Sequence, residues 1–319
     1  MSGSCYKTYF VWEGWVYVVE IAQSVLEVEL CGILLETPLI PAAGTLSKEA
    51  LSETENVYGA VLPKTVTPIS RSGNPPPRLA EAPSGMVNSI GLPNPGLTSF
   101  LKDLGDYDVG LPIFVSVAAD TVEKFAAMCA RLAEDERVAA VELNLSCPGN
   151  VRDADKRFAH HYLAGPGAVG EVVAACREAL HHKPLVTKLT EAGAVNNAVA
   201  AQEAGTDALT LINTIPALVV DSQERKVFLR GGLSGPAIKP VALRVVYEVS
   251  QVVEVPVIGA GGVASGMDVA EFMLAGASAV QVGSASFVRE PREMLEEFAA
   301  YLWENGLRAR DLKGALRGA

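Results

Sequence analysis

Eight short apolar runs, each ending in glycine, proline or a polar residue, recur along the chain and alternate with helical patterns. Near-continuous hydrophobic strands that alternate with amphipathic helices favour a parallel sheet covered on both faces. A count of eight predicts an α/β fold of the (β/α)8 TIM-barrel type. A doubly wound sheet is the alternative, but it requires a G-x-G-x-x-G after its first strand, and IPAAGTLSKE lacks one. The runs are LIPAAG (39–44), AVLPKT (60–65), IFVSVA (113–118), AVELNLS (140–146), PLVTKL (184–189), ALTLINT (208–214), VPVIGAGG (255–262) and AVQVGSA (279–285).

The domain organisation follows from length and composition. The chain has 319 residues, 49% of them apolar, with no compositional break. We therefore expect one barrel domain over residues 25–319, preceded by an extension, residues 1–24, that packs on the body or is poorly ordered. That extension has no basic n-region, and its apolar runs fall short of the ~20 residues of a membrane span. We expect no membrane segment, no export and a cytoplasmic location.

Charge and cysteine usage exclude several classes of function. A net charge of −11 without a basic stripe argues against a nucleic-acid partner. The five cysteines are widely spaced and form no C-x-x-C pair, which fits neither a disulfide framework nor a zinc site. The four histidines occur as two adjacent pairs, which cannot share a helix face. We expect no metal.

Polar residues gather at the predicted carboxyl ends of the strands, which is the functional edge of a barrel. Buried ammonium and amide groups are costly unless something pairs them, so this edge is the predicted site. The residues are Lys64, Thr65, Ser116, Asn144, Cys147, Lys188, Asn213 and Thr214, with glycine-rich ends at Gly261-Gly262 and Gly283-Ser284.

Three features of this edge suggest chemistry. The glycine-rich ends of strands seven and eight favour a phosphate site, the alternative being tight turns. Lys188 is a candidate to stabilise negative charge on a reduced flavin; a structural ion pair and the imine lysine of an aldolase are the alternatives. Cys147 follows a strand in a Pro-Gly loop and is a candidate acid/base or nucleophile. Cys129 and Cys176, on apolar helix faces, fit an inert buried role instead.

Seven motifs in order resemble the soluble, class 1 dihydroorotate dehydrogenases, from about Val25 to Tyr301. The motifs are GNPPPR (73–78), GMVNSIGLPNPG (85–96), ELNLSCP (142–148), LINT (211–214), GGLSGPAIKP (231–240), IGAGGV (258–263) and LAGASAVQVGSA (274–285). The resemblance implies an FMN-binding barrel that oxidises dihydroorotate to orotate in pyrimidine biosynthesis, with FMN at the carboxyl-terminal rim. Cys147 would be the base that takes the C5 proton of the substrate, and its loop would lift for substrate entry.

The resemblance also assigns roles to the other site residues. Lys64 and Asn144 would act beside Cys147 and touch both substrate and flavin. The remaining substrate contacts would be Asn88, Ser89, Ile90, Gly91, Leu92, Asn213 and Thr214. The remaining FMN contacts would be Ala43, Thr65, Ser116, Lys188, Ile212, Gly235, Gly261, Gly262, Gly283 and Ser284.

Four departures from the family pattern affect the rim. Ala43 replaces a serine and Ser116 an asparagine of the B-type relatives. The loop CPGNVRDADKRF replaces a Cys-Pro-Asn-Val pattern, and KLTEAGA lacks a usual proline and asparagine. A flavin-binding paralogue, acting on another pyrimidine or catalytically silent, is therefore the alternative function.

The subclass determines the expected partners. The INT and GGLSGPAIKP motifs favour the B type, whose electrons pass to NAD through a separate subunit. FAD and an iron–sulfur cluster would then lie only on that partner, in a heterotetramer. The A type, a homodimer that reduces fumarate, is the alternative, and a homodimer is expected in either case.

Overall fold

The computed structural model describes residues 5–12, 15–51, 56–145 and 165–316. The described part of the N-terminal extension is an antiparallel hairpin of β1 (Cys5–Trp12) and β2 (Trp15–Ala22). Ile21, near its end, is 3% exposed and belongs to the hydrophobic core. A second small hairpin follows, formed by β3 (Val28–Leu30) and β4 (Ile33–Leu35). The extension is thus connected to the body through at least one core side chain.

Seven parallel strands form the central sheet. In spatial order they are β5 (Leu39–Pro41), β15 (Ala277–Val282), β14 (Val257–Ala260), β11 (Ala208–Leu211), β10 (Leu185–Leu189), β9 (Val138–Asn144) and β8 (Ile113–Val117). Every residue of β8, β10, β14 and β15 is buried. A strand covered on both faces needs apolar residues at successive positions, which explains the continuous runs in the sequence.

The expected eight-stranded barrel is not confirmed, because the run at 60–65 does not form a continuous strand. It makes isolated parallel bridges, from Val61 to Ile113 and from Val66 to Val117. On its other side, the Gly59 amide donates to the Leu39 carbonyl at 2.8 Å. Pro63 lies between the two bridges and has no N–H to donate, so a regular ladder is interrupted there.

A four-stranded antiparallel sheet lies at the carboxyl edge of the parallel sheet, and the sequence analysis did not predict it. Its strands are β6 (Leu79–Ala82), β7 (Gly85–Asn88), β12 (Ile215–Asp221) and β13 (Lys226–Ser234), in the order β12-β13-β7-β6. The motifs GMVNSIGLPNPG, LINT and GGLSGPAIKP either begin, precede or end these strands. The sheet therefore brings distant motifs to the same edge of the fold.

The described helices are α1 (Leu97–Lys102), α2 (Val122–Ala133), α3 (Pro166–Leu180), α4 (Ala194–Glu203), α5 (Lys239–Ser250), α6 (Gly266–Leu274), α7 (Pro291–Asn305) and α8 (Ala309–Leu312). Helices α2 to α6 pack against strands of the parallel sheet, and α7 and α8 pack on α6. Strand β1 lies against α7. Thr121 and Ser265 cap α2 and α6 by accepting a backbone N–H. Cys129 and Cys176 are fully buried on α2 and α3, as expected. Among the described residues, no helix is long and apolar enough to cross a membrane.

Candidate active site

A cavity of about 750 Å³ lies between the carboxyl edge of the parallel sheet and the antiparallel sheet. All of the site residues predicted from the sequence line it, except Ser116 and Cys147. Ser116 is 1% exposed and lies behind the lining, whereas Cys147 lies outside the described residues. The volume of the cavity falls in the usual range for small-molecule sites, ~300–1,000 Å³. The strand-end residues selected from the sequence therefore line one common cavity.

A chain of polar side chains crosses one wall of the cavity. The Asn213 Nδ2 donates to Asn144 Oδ1 at 3.2 Å, and the Asn144 Nδ2 donates to Thr65 Oγ1 at 3.4 Å. The Thr65 and Ser116 hydroxyls are 3.0 Å apart. The backbone N–H of Thr214 donates to Asn213 Oδ1 at 2.8 Å, which fixes the orientation of that amide. Ser116 thus continues this chain of hydrogen bonds below the lining of the cavity.

Lys64 lies on the same wall, and Gly44 makes room for it. A Cβ atom at Gly44 would lie 2.4 Å from Lys64 Cδ and 2.7 Å from its Nζ. Gly44 also has φ +89°, which a residue with a side chain rarely adopts. The position of the Lys64 ammonium therefore depends on a glycine that the sequence analysis did not single out.

The opposite wall is built from the antiparallel sheet. Asn88, at the end of β7, donates its side-chain N–H to the Gly232 carbonyl of β13 at 3.3 Å. Asn74 donates to both the carbonyl and the hydroxyl of Ser89, each at 2.9 Å. Arg230 and Phe287 also line the cavity, and the sequence analysis missed both. Arg230 lies inside β13, away from any predicted strand end, whereas Phe287 follows the glycine-rich end of β15 at Gly283 and Ser284.

Glycine loops form the end of the cavity near β14 and β15. Gly261 and Gly262 have φ values of +115° and +83°. A Cβ atom at Gly262 would lie 2.8 Å from the Lys239 N and 2.9 Å from the Gly235 carbonyl oxygen. These are backbone atoms, so only glycine fits this close approach. The loop presents bare backbone to the cavity, which is what a phosphate cradle requires.

Lys239, whose backbone N lies against Gly262, is paired with two carboxylates. The Lys239 Nζ lies 2.6 Å from Asp268 Oδ1 and 2.8 Å from Glu271 Oε2. The hydrogen bonds to these two carboxylates, chiefly the one to Asp268, raise the pKa of Lys239. Asp268 also accepts the backbone N–H of Ala264 at 2.8 Å. Lys239 therefore ties α5, α6 and the glycine loop together.

The floor of the cavity is a buried polar cluster. The Lys188 Nζ donates to Gln281 Oε1 at 2.7 Å, and the Gln281 Nε2 donates to Glu142 Oε2 at 2.7 Å. Thr210 donates to the same carboxylate oxygen at 2.9 Å. The sequence analysis missed Glu142 and Gln281. A signal existed, because each stands two residues before a predicted rim residue and so shares its face of the strand. Within the described ranges, no group of three His, Cys, Asp or Glu side chains is arranged to hold a metal ion.

The fold and the cavity define an α/β protein whose site lies at the carboxyl edge of a parallel sheet, the usual place in this class of enzyme. The family model "Dihydroorotate dehydrogenase" matches residues 25–297. The chain therefore belongs to the dihydroorotate dehydrogenase family and is an oxidoreductase. The membership predicted from the seven motifs is confirmed.

Individual proteins give the same result. The "Dihydroorotate dehydrogenase B (NAD(+)), catalytic subunit" of Pelobacter propionicus is 42% identical over 304 residues, covering 91% of this chain and 98% of that protein. The protein of the same description from Geotalea uraniireducens is 41% identical with the same coverage. The crystal structure of DHODH in complex with ferulenol from Eimeria tenella has a TM-score of 0.75 at 22% identity, covering 91% of this chain and 88% of that one. That likeness supports the fold alone.

Proposed function

We propose that this chain oxidises (S)-dihydroorotate to orotate in pyrimidine biosynthesis, with FMN bound in the cavity at the carboxyl edge of the parallel sheet. The observation that carries the proposal is the cavity itself. It brings together two lysines, a chain of fixed amides and a glycine loop from sequence positions as distant as Lys64 and Gly262. This donor set suits a molecule with an anionic end and a ring that has alternating donors and acceptors.

The residues present fit FMN. At Gly262 an added Cβ atom would collide with the backbone of Lys239 and Gly235, so the loop carries no side chain there, and Gly261, Gly283 and Ser284 line the same end of the cavity. These backbones would hold the phosphate. Lys188, which is 6% exposed and lines the cavity, would place its ammonium against the ring, with Ala43, Thr65, Ser116, Ile212 and Gly235 as further contacts or supports. FMN, when bound, supplies the acceptor for the two electrons that leave the substrate.

The chain's own side chains would bind the substrate and move its proton. Lys64 would neutralise the carboxylate of dihydroorotate, while Asn144 and Asn213 would hold the edge of its ring. Residues Asn88 to Leu92 and Thr214 would close the opposite side. The Cys147 thiolate would accept the C5 proton on its Sγ, a contribution of typically ~10²–10⁴ in rate. The hydrogen bonds of Asn144 and Asn213 support this arrangement, since they leave each amide one orientation.

The parallel sheet would close into a barrel through residues 59–66. The two bridges to β8 and the Gly59–Leu39 hydrogen bond support a position for this segment between the two edge strands. Residues 25–319 would then form one TIM-barrel domain, with residues 1–24 as an extension. The match of the family model from residue 25 onward supports this boundary.

The electron acceptor would be NAD, reached through a partner subunit that carries FAD and an iron–sulfur cluster. The name of the P. propionicus relative, an NAD(+)-type catalytic subunit, supports this B-type assignment. The chain would form a homodimer within a heterotetramer with that partner, in the cytoplasm.

The test is a visible absorption spectrum of the purified chain before and after anaerobic addition of dihydroorotate. We expect a flavin spectrum that bleaches, and bleaching at least ~100-fold slower in Cys147→Ala. Cys31→Ser is the matched control, because Cys31 donates a hydrogen bond to the Asp207 carbonyl and a hydroxyl can replace that donor. It should bleach at the wild-type rate.

Four outcomes would contradict parts of the proposal. Protein that takes up no FMN would refute the assigned cofactor. A flavin that stays oxidised with dihydroorotate but bleaches with another dihydropyrimidine would change the substrate, and one that bleaches with neither would indicate a silent paralogue. Equal bleaching in Cys147→Ala would remove Cys147 as the base.

A further inference from the structure

Four side chains from four parallel strands form a hydrogen-bonded cluster beneath the cavity. Lys188 (β10), Gln281 (β15), Glu142 (β9) and Thr210 (β11) are each at most 6% exposed. Their links run from the Lys188 ammonium to the Gln281 carbonyl oxygen and from the Gln281 amide N–H to the Glu142 carboxylate, both 2.7 Å. Only Lys188 of these four lies among the predicted site residues.

The direction of every hydrogen bond in the cluster is fixed by its two charged ends. An ammonium has only donors and a carboxylate only acceptors. The Gln281 amide must therefore turn its oxygen to Lys188 and its nitrogen to Glu142. If Lys188 or Glu142 were replaced by a neutral group that both donates and accepts hydrogen bonds, the Gln281 amide could adopt either orientation. Glu142 thus determines how Gln281 faces Lys188, although it does not contact Lys188 directly.

Stability alone does not account for a carboxylate at this position. Glu142 is 2% exposed, and its Oε1 has no hydrogen-bond partner among the described residues. A buried charge whose hydrogen bonds are incomplete costs free energy, and an apolar replacement of similar shape often stabilises a core. The carboxylate lies, through Gln281, next to the lysine that faces the cavity, which suggests a role in the site.

We infer that Glu142 is a positioning residue: through Gln281 it holds the Lys188 ammonium in place and limits the positive field that Lys188 presents to the bound flavin. The inference rests on the proposed FMN site. In a water-poor interior a charge acts over several ångströms, so one carboxylate changes how strongly the site favours an electron-rich ligand. Glu142 would lower the preference of the site for reduced over oxidised FMN.

The test compares the affinities of variants for oxidised and reduced FMN, together with the two-electron midpoint potential. Glu142→Gln keeps the shape and removes the charge. We expect its preference for reduced FMN to rise about tenfold, a potential about 30 mV more positive. Thr210→Val is the matched control, since it removes a hydrogen bond to the same carboxylate oxygen but no charge. It should shift the potential by less than a third as much.

A double-mutant cycle tests whether the effect travels through Gln281. In a Gln281→Met background, Glu142→Gln should shift the potential less than it does in the wild type, because the link to Lys188 is already broken. An unshifted potential in Glu142→Gln, or an equal shift in Thr210→Val, would overturn the inference while leaving the dehydrogenase proposal intact. Wild-type protein that binds no FMN would overturn both.

Discussion

The substitution Gly262→Ala tests whether the glycine loop is a cradle that depends on its missing side chain. Gly262 has φ +83°, and a residue with a Cβ atom pays ~1–2 kcal/mol for that conformation. The new Cβ atom would also lie 2.8 Å from the Lys239 N and 2.9 Å from the Gly235 oxygen. Neither backbone atom can rotate away, so the loop itself must move. We expect a further loss of about 2 kcal/mol in FMN binding, which is roughly 30-fold in affinity.

The assay is a titration of the apo-protein with FMN, followed by the change in flavin fluorescence, with Tm measured in parallel. Gly306→Ala is the matched control: Gly306 ends α7 with φ +62° and has nothing within 4 Å of the added Cβ atom. Both variants should lose a similar amount of stability from the backbone conformation, but only Gly262→Ala should lose affinity for FMN. A Gly262→Ala protein that binds FMN within twofold of wild type would refute the cradle.

Two further predictions follow from the contacts of Lys64 and Lys239. In Gly44→Ala the added Cβ atom would lie 2.4 Å from Lys64 Cδ and displace this flexible side chain. Steady-state turnover of dihydroorotate should therefore fall ~10–100-fold. Unchanged turnover would show that Lys64 is not needed at this position. Hydrogen bonds to Asp268 and Glu271 raise the pKa of Lys239. Its ion pairs therefore stabilise the fold fully below the ordinary lysine pKa of 10.5, and this stabilisation is lost as pH rises through the raised pKa of Lys239. The amount by which the Tm of Lys239→Met falls below that of the wild type, measured from pH 7 to 11, should therefore be constant up to about pH 10 and become smaller above it. A difference in Tm that grows with pH would contradict a raised pKa of Lys239.

The strands and their carboxyl ends could be predicted because both depend on local pattern. A strand buried on two faces needs an unbroken apolar run, and seven of the runs overlap one of the parallel strands. Asn144, Lys188 and Gly261 were then located by position alone, since parallel strands end at one edge. The run with Pro63 was the exception. Its apolar composition matches a strand, but the missing donor interrupts the ladder between Val61 and Val66.

The antiparallel sheet was missed because its strands are half-exposed and form no continuous buried run. The burial of β12 alternates strictly between half-buried and exposed residues, and β6 alternates in the opposite order. β12 reads IPALVVD and carries apolar residues on both faces, so its sequence lacks the alternation of apolar and polar residues that signals a half-exposed strand. The pairing of these strands also joins residues far apart in sequence, such as Asn88 and Gly232. Local pattern carries no information about that register, and the second wall of the cavity depends on it.

The buried cluster of Glu142, Thr210 and Gln281 is a polar layer in the interior of the curled parallel sheet. Glu142, Thr210 and Gln281 lie on β9, β11 and β15, which alternate across the sheet, and in a curled parallel sheet alternate strands contribute side chains to the same interior layer. Such layers usually consist of branched apolar residues. Here the layer that meets Lys188 is polar, and its carboxylate keeps one oxygen without a hydrogen bond among the described residues. Because an apolar layer would pack with no such cost, the polar one is best explained by the lysine that it supports and by the ligand that this lysine faces.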